Sequence, residues 1–308
     1  LPKSDSIRIA KLMGDPKIEQ AARETGGAAW IDFIDRLALH LGLVDYNTRG
    51  EYRGYTSSSP SYPNNYLCVI EKAYSKFLDL SPAGQEKQLL EILISQRKEG
   101  DFTSSNNEFY MQSTLGRLDR FSIRGAAVGV MPMLDFTTIR LFLLKLLQKC
   151  EPGIWYTTAS LVAWLKANHP FFLIPERIPL DRWGKTSERY SNFHDGREQR
   201  GSDDSFVPSD APDAFERVEG RYIERFLEGA PLTMRFVELA YQTAPVEKIY
   251  PSLGLLPAFR VTERFVRLMN GEIRPPQVTV QPNFDVIVES EIYPARLMQT
   301  LDALAEEV

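Results

Sequence analysis

The chain is poor in the residues on which most metal sites and many catalytic sites depend. Its 308 residues include two cysteines, Cys68 and Cys150, and three histidines, His40, His169 and His194. Two cysteines cannot build a disulfide scaffold or a cysteine zinc site, and a reducing cytoplasm is the expected setting. The histidines fall in separate stretches, so no metal-ligand spacing is visible, and neither a metal nor another cofactor is expected. No apolar run is long enough to cross a bilayer, and no charged-then-apolar leader opens the chain. Positive charge is not in surplus either. A net charge of −5 argues against a globally basic nucleic-acid binder, while leaving room for a local patch.

Catalytic templates are missing as well. There is no HExxH, no GxSxG elbow and no GxGxxG after a strand. Gly184, Lys185 and Thr186 spell the end of a phosphate loop. Such a loop needs a further glycine five residues earlier, after a buried strand, so that backbone N–H groups can cradle phosphate. That position is Pro179, and "PERIPLDRW" is no apolar strand. The acidic pair Asp203 and Asp204 sits in a polar stretch that reads as a solvated turn. The expectation is a protein without enzymatic activity.

What is present is a succession of amphipathic helices punctuated by short strand signals, an α+β pattern that is mainly helical. In the first unit, about residues 1–80, "KSDSIRIAKLMGD" stops at Gly14, and "DPKIEQAARET" offers an Asp cap with Pro at the first position. "AAWIDFIDRLALHLG" places Trp30, Ile34, Leu37 and Leu41 on one face. "LVDYNTRGEYRGY" reads as two strands around a turn, and a helix is expected from Leu67 to Leu78. Three helices followed by a ribbon is the order of a winged helix.

A second unit, 81–212, opens with "SPAGQEKQLLEILISQ" and continues with the helix "LDFTTIRLFLLKLLQKC", a strand around Trp155 and a further helix. Residues 174–212 form a polar insertion with little periodicity. The third unit, 213–271, begins with the helix "DAFERVEGRYIERFLEG". A second helix is expected in "LTMRFVELAYQ", and a strand from Phe259 to Val261 leads into a helix that stops at Gly271. From 276 to 308 a Val-rich alternation precedes the helix "PARLMQTLDALAEEV", which is expected to close over one face of the strand. That helix ends without a capping signal and the chain opens without Met, so a fragment of a longer protein is expected.

Three basic clusters are candidates for a nucleic-acid surface. Arg117, Arg120 and Arg124 lie close together in "GRLDRFSIRG". "RWGKTSERYSNFHDGREQR" interleaves Arg182, Lys185 and Arg189 with Trp183, Tyr190 and Phe193, a mixture suited to following a backbone and stacking a base. Arg217, Arg221 and Arg225 stand at i, i+4 and i+8 along one helix. Asp213 and Glu224 lie beside that stripe, so ordinary surface pairing also accounts for it.

Several stretches taken together resemble a family. "GIWYTTASLVAWLKANHPFFL", "FERVEGRYIERFLEGAPL", "FRVTERFVRLMNG" and "VTVQPNFDVIVESEIYPARLMQTLDALAE" occur in an order similar to bacterial helicase-associated proteins of the XPB-like type. The resemblance implies tandem winged-helix-like modules leading into a helicase-associated α/β element, without a motor. It also implies association with DNA, in repair, defence or transcription, alongside a helicase or nuclease partner. A winged helix offers its third helix to the major groove and its ribbon to the backbone, a surface that would include Arg36, Arg49 and Arg53. The competing expectation is a protein-interaction module that docks such a partner, which the net acidity favours.

Overall fold

The computed structural model describes residues 1–26, 29–47, 66–95, 122–123, 135–176, 189–190, 193–194, 207–241, 256–292 and 294–304. Three helices open the chain, α1 (Lys3–Met13), α2 (Pro16–Thr25) and α3 (Ala29–His40). Local chemistry sets the boundary between the first two. Gly14 ends α1 at φ +69°, a left-handed conformation that a side chain resists. Asp15 then accepts a hydrogen bond from the Lys17 N–H at 2.8 Å, with Pro16 as the first helical residue. β1 (Val44–Tyr46) pairs antiparallel with β2 (Leu67–Val69). The helix expected from Leu67 therefore starts only after this strand, as α4 (Glu71–Leu78). α5 (Pro82–Ser95) begins beside Ser81, whose hydroxyl accepts from the Gly84 N–H at 3.2 Å.

The chain continues with α6 (Phe136–Leu147), β3 (Trp155–Thr157) and α7 (Thr158–Asn168). A π-turn, Glu216–Gly220, runs into α8 (Arg221–Glu228). Then come β4 (Val237–Ala240), β5 (Ala258–Val261) and α9 (Glu263–Asn270). β6 (Gln277–Val280), β7 (Val286–Glu289) and α10 (Ala295–Asp302) follow, and the two-residue segments Ser122–Ile123 and Phe193–His194 pair antiparallel. None of the described helices is long and apolar enough to cross a membrane.

One expected helix is a strand. "LTMRFVELAYQ" holds only the end of a four-residue helix, Ala230–Thr233. Arg235 then takes φ +56° and the chain extends into β4. Alternation decides the outcome: Val237 is buried and Glu238 exposed, which is the period of a strand with one wet face.

The chain divides into two compact units, Leu1–Ile92 with Ile273–Val308, and Leu93–Glu272. In the second, β5 lies between β3 and β4 in a fully antiparallel sheet of order β3–β5–β4. Its rows are Trp155–Arg260–Glu238 and Tyr156–Phe259–Leu239. The second row faces the core, where Phe259, Val261, Phe236 and Phe265 are fully buried. β3 falls in the stretch read as 81–212 and β5 in the stretch read as 213–271, so a single sheet joins both.

In the first unit the core is small. Ala10, Ala22 and Ile31 are buried, with Ile7, Ile9 and Ile18 packed around them. Alanine at the crossing lets two helix backbones approach closely. Among the described side chains of α3 the buried one is thus Ile31, while Trp30 and Ile34, expected to face inward, are 44% and 43% exposed. One residue of helix rotates a face by about 100°, so Trp30 and Ile34 of the expected stripe point outward, while Leu37 and Leu41 are half-buried.

β6 and β7 form a hairpin whose register sets Val278 opposite Val288 and Val280 opposite Val286, four valines on one face. α10, expected to close over this strand, is joined instead to α4. Gln299 Nε2 donates to Tyr74 Oη at 3.4 Å, and Arg296 pairs with Asp79. Val278, Val280 and Val286 remain exposed.

Candidate functional site

The arginine stripe read as a nucleic-acid surface maps onto the π-turn and α8, and most of it is inside the protein. Arg221 is 7% exposed and Arg225 1% exposed. Arg217 lies within the π-turn, whereas Arg221 and Arg225 lie on α8. Arg217 keeps the surface contact expected of it, 3.7 Å from Asp213. Arg221 donates to Glu224 at 2.9 Å, and both partners are buried. Burial lowers the pKa of Arg221, with Glu224 opposing the shift. Burial and then the neighbouring Arg221 bring the pKa of Arg225 down to about 9, with Glu228 and Glu224 opposing. Charges held so deeply are tolerated only when opposite charges accompany them. Arg221 is committed to an internal carboxylate, and Arg225 is buried beside it.

On the other side of the same helix lies a carboxylate that sequence reasoning passed over. Glu219, in the π-turn, is fully buried. The Tyr190 hydroxyl donates to it, with Oε1 at 3.0 Å and Oε2 at 2.9 Å. Arg189 Nη2 donates to Glu219 Oε1 at 2.7 Å, to the Ile174 carbonyl at 3.1 Å, and to the Pro170 carbonyl. The Arg189 guanidinium also lies 4.9 Å from the ring centroid of Phe171 and 5.0 Å from that of Tyr190. The Tyr190 N–H donates to Ser209 Oγ at 2.9 Å. Burial pushes Glu219 up to about 8, against the pull of Arg189 and the Tyr190 hydroxyl. Tyr190 is pushed up as well, by its own burial and then by the charge of Glu219.

Arg189 therefore serves an internal network in place of an open basic loop. The missed signal was a carboxylate inside an apolar stripe. Glu219 stands four residues after Phe215, and three and four before Tyr222 and Ile223, all of which are buried. An acid at such a position must find partners in the interior. Arg36 lies on α3. Its side chain, and the whole of Arg49, Arg53, Arg117, Arg120, Arg124, Arg182 and Lys185, lie outside the described residues.

Exposed apolar side chains are the other prominent feature. In the first unit Trp30 and Ile34 stand one turn apart on α3, with Asp32 and Asp35 on the same helix. Trp30 meets Phe33 edge to face at 5.8 Å, and the Tyr46 hydroxyl donates to Asp35. Within the second unit, the solvent face of the sheet carries Trp155 under Arg260, 5.0 Å from its ring centroid, with Arg260 Nε donating to Glu238 at 2.8 Å. No family model, no curated protein and no solved structure matches the chain.

Proposed function

We propose that this is a non-enzymatic docking protein built from winged-helix-like modules, and that it binds a protein partner in preference to reading a DNA groove. The order α6–β3–α7–α8–β4–β5, with β3 paired to β5 at the sheet edge, supports the winged-helix reading of the second unit. In the first unit the order α1–α2–α3 followed by the ribbon β1–β2 supports the same reading.

One observation carries the choice of partner. The helix in the groove-reading position of the second unit is buried from Arg221 to Leu227, with Arg221 paired to the buried Glu224 and Arg225 1% exposed. Its counterpart in the first unit turns Trp30 and Ile34 outward and carries Asp32 and Asp35. Aromatic and aliphatic anchors are typical of protein interfaces, whereas carboxylates repel phosphate. A helicase or nuclease is the partner class that the family resemblance suggests. Duplex binding is the second reading, and the winged-helix order of elements favours it.

Fluorescence anisotropy with a labelled duplex separates the two. On the docking reading, duplex binding stays in the non-specific range of about 10⁻⁴–10⁻⁶ M at physiological salt. Binding tighter than that, with affinity falling by about 10³-fold or more between about 50 and 200 mM salt, would establish groove reading.

A further inference from the structure

Among the described residues β6 and β7 pair only with each other. A lone hairpin is marginal in water, and a third strand is what gives such a ribbon stability of its own. Val280 is 63% exposed and Ile287, on the opposite face, 41% exposed, so both faces meet solvent. We propose that the outer edge of β7 takes up an extended segment of a partner protein as an antiparallel third strand, in which two basic residues flank three apolar ones.

The two edges of the hairpin differ. The Gln281 N–H donates to the Asp285 carbonyl at 2.8 Å and the Phe284 N–H to the Gln281 carbonyl at 2.9 Å, which fixes the turn. Bonded and unbonded pairs alternate from there along an antiparallel ladder. Thr279 and Ile287 are therefore a bonded pair, and Val288 turns its N–H and C=O to the outer edge. On β6 the outer edge is bracketed by Pro276 and Pro282, which have no N–H to give. No proline stands between Asn283 and Tyr293, so the β7 edge is the open one.

Charge then selects the occupant. From Pro275 to Ala295 the chain carries Asp285, Glu289 and Glu291 and no basic residue. Alternation sets Asp285, Ile287 and Glu289 on one face. A second copy of β7 laid antiparallel, Ile287 on Ile287, would put Asp285 opposite Glu289 twice, and like charges directly opposite are destabilising. A strand with Lys or Arg at those two positions, and apolar residues between them, turns the same carboxylates into attractions. An antiparallel strand is favoured because parallel pairing is less stable per residue. Trp30 and Ile34 take no part, so the outcome is independent of the docking read on α3.

Fluorescence anisotropy of the full chain tests the edge with a labelled peptide, Lys-Val-Ile-Val-Lys between Gly-Ser flanks. Saturable binding is expected below about 1 mM, and the same peptide with Glu in place of Lys should bind about threefold more weakly or worse. Val288→Pro removes an outward donor and leaves the bonds between β6 and β7 in place, so it should abolish binding. Should that variant fail to fold, methylating the backbone nitrogens of both peptide valines, which face β7, should abolish binding to the wild-type chain. Glu289→Lys should weaken the Lys peptide and strengthen the Glu peptide, each by about threefold or more. Glu263→Lys, the same charge change in the second unit, should shift neither by more than about twofold. No saturable binding at about 1 mM, equal binding of the two peptides, or unchanged binding to Val288→Pro overturns the proposal. So does self-association of the chain that Val288→Pro removes, seen by sedimentation, because the edge would then belong to a second copy.

Discussion

Replacing Arg189 by Met tests whether the network around Glu219 holds the second unit together. The change keeps an unbranched stem and removes every donor. Glu219 loses a hydrogen bond of 2.7 Å and the Ile174 carbonyl one of 3.1 Å, both inside the protein. A buried acceptor left without its donor costs about 1–3 kcal/mol. Contacts of the guanidinium with Phe171 and Tyr190 add about 0.5–1 kcal/mol each. Glu219 recovers part of its share by keeping its proton, because its pKa already stands near 8. The balance is about 3–4 kcal/mol. For a unit of this size, each kcal/mol lowers Tm by about 2–4 °C, so the expected fall is roughly 10 °C. Thermal unfolding followed by near-UV circular dichroism near pH 7 reads it. A Tm within about 2 °C of wild type would refute the reasoning, since it would mean that the Arg189 contacts contribute nothing net.

Three further substitutions probe separate parts of the fold. Thr262 caps α9, accepting from the Phe265 N–H at 3.3 Å and donating to the Arg235 carbonyl at 2.9 Å. Thr262→Ala should cost about 1–2 kcal/mol in urea unfolding, with Ser restoring most of it. Phe284, at the tip of the β6–β7 hairpin, is 87% exposed and sits at φ +71°. Phe284→Asn should therefore stabilise the hairpin by up to about 1 kcal/mol, seen as slower amide exchange of Val280 and Val286. Arg260→Ala removes an exposed pair with Glu238 and a ring contact with Trp155, and its effect on stability should stay under about 1 kcal/mol.

Helix boundaries were the most legible part of the fold because they rest on local chemistry. Asp15 with Pro16, Ser81 with Pro82, and Gly14 and Gly271 at left-handed φ mark their ends in the sequence as they do in the structure. The buried face of α3 was not legible, because apolar residues surround most of that helix. Trp30, Ile31, Phe33, Ile34 and Leu37 satisfy more than one stripe, and only packing on Ala10 and Ala22 selects Ile31. β4 was hidden by its neighbours, since a short helix and a left-handed turn at Arg235 precede four extended residues.

The arginine spacing along the π-turn and α8 was legible, but its environment was not. Exposure depends on what packs over a helix, which periodicity does not encode. The apolar run Phe215, Val218, Tyr222 and Ile223 did signal burial, and Glu219 in its midst was the clue to an interior network. Arg189 and Tyr190, twenty-nine or more residues away, could not be joined to that carboxylate by spacing alone.

Chemical labelling of arginine tests the central claim, that Arg221 and Arg225 on α8 are internal structure rather than a groove-reading surface. Phenylglyoxal modifies accessible guanidinium groups, and peptide mass spectrometry assigns each site. Arg8, with its side chain 81% exposed, should react readily in the folded chain, while Arg221 and Arg225 stay unmodified until the protein is unfolded. Modification of Arg221 and Arg225 as fast as Arg8 in the folded chain, and their protection by added duplex, would contradict the account.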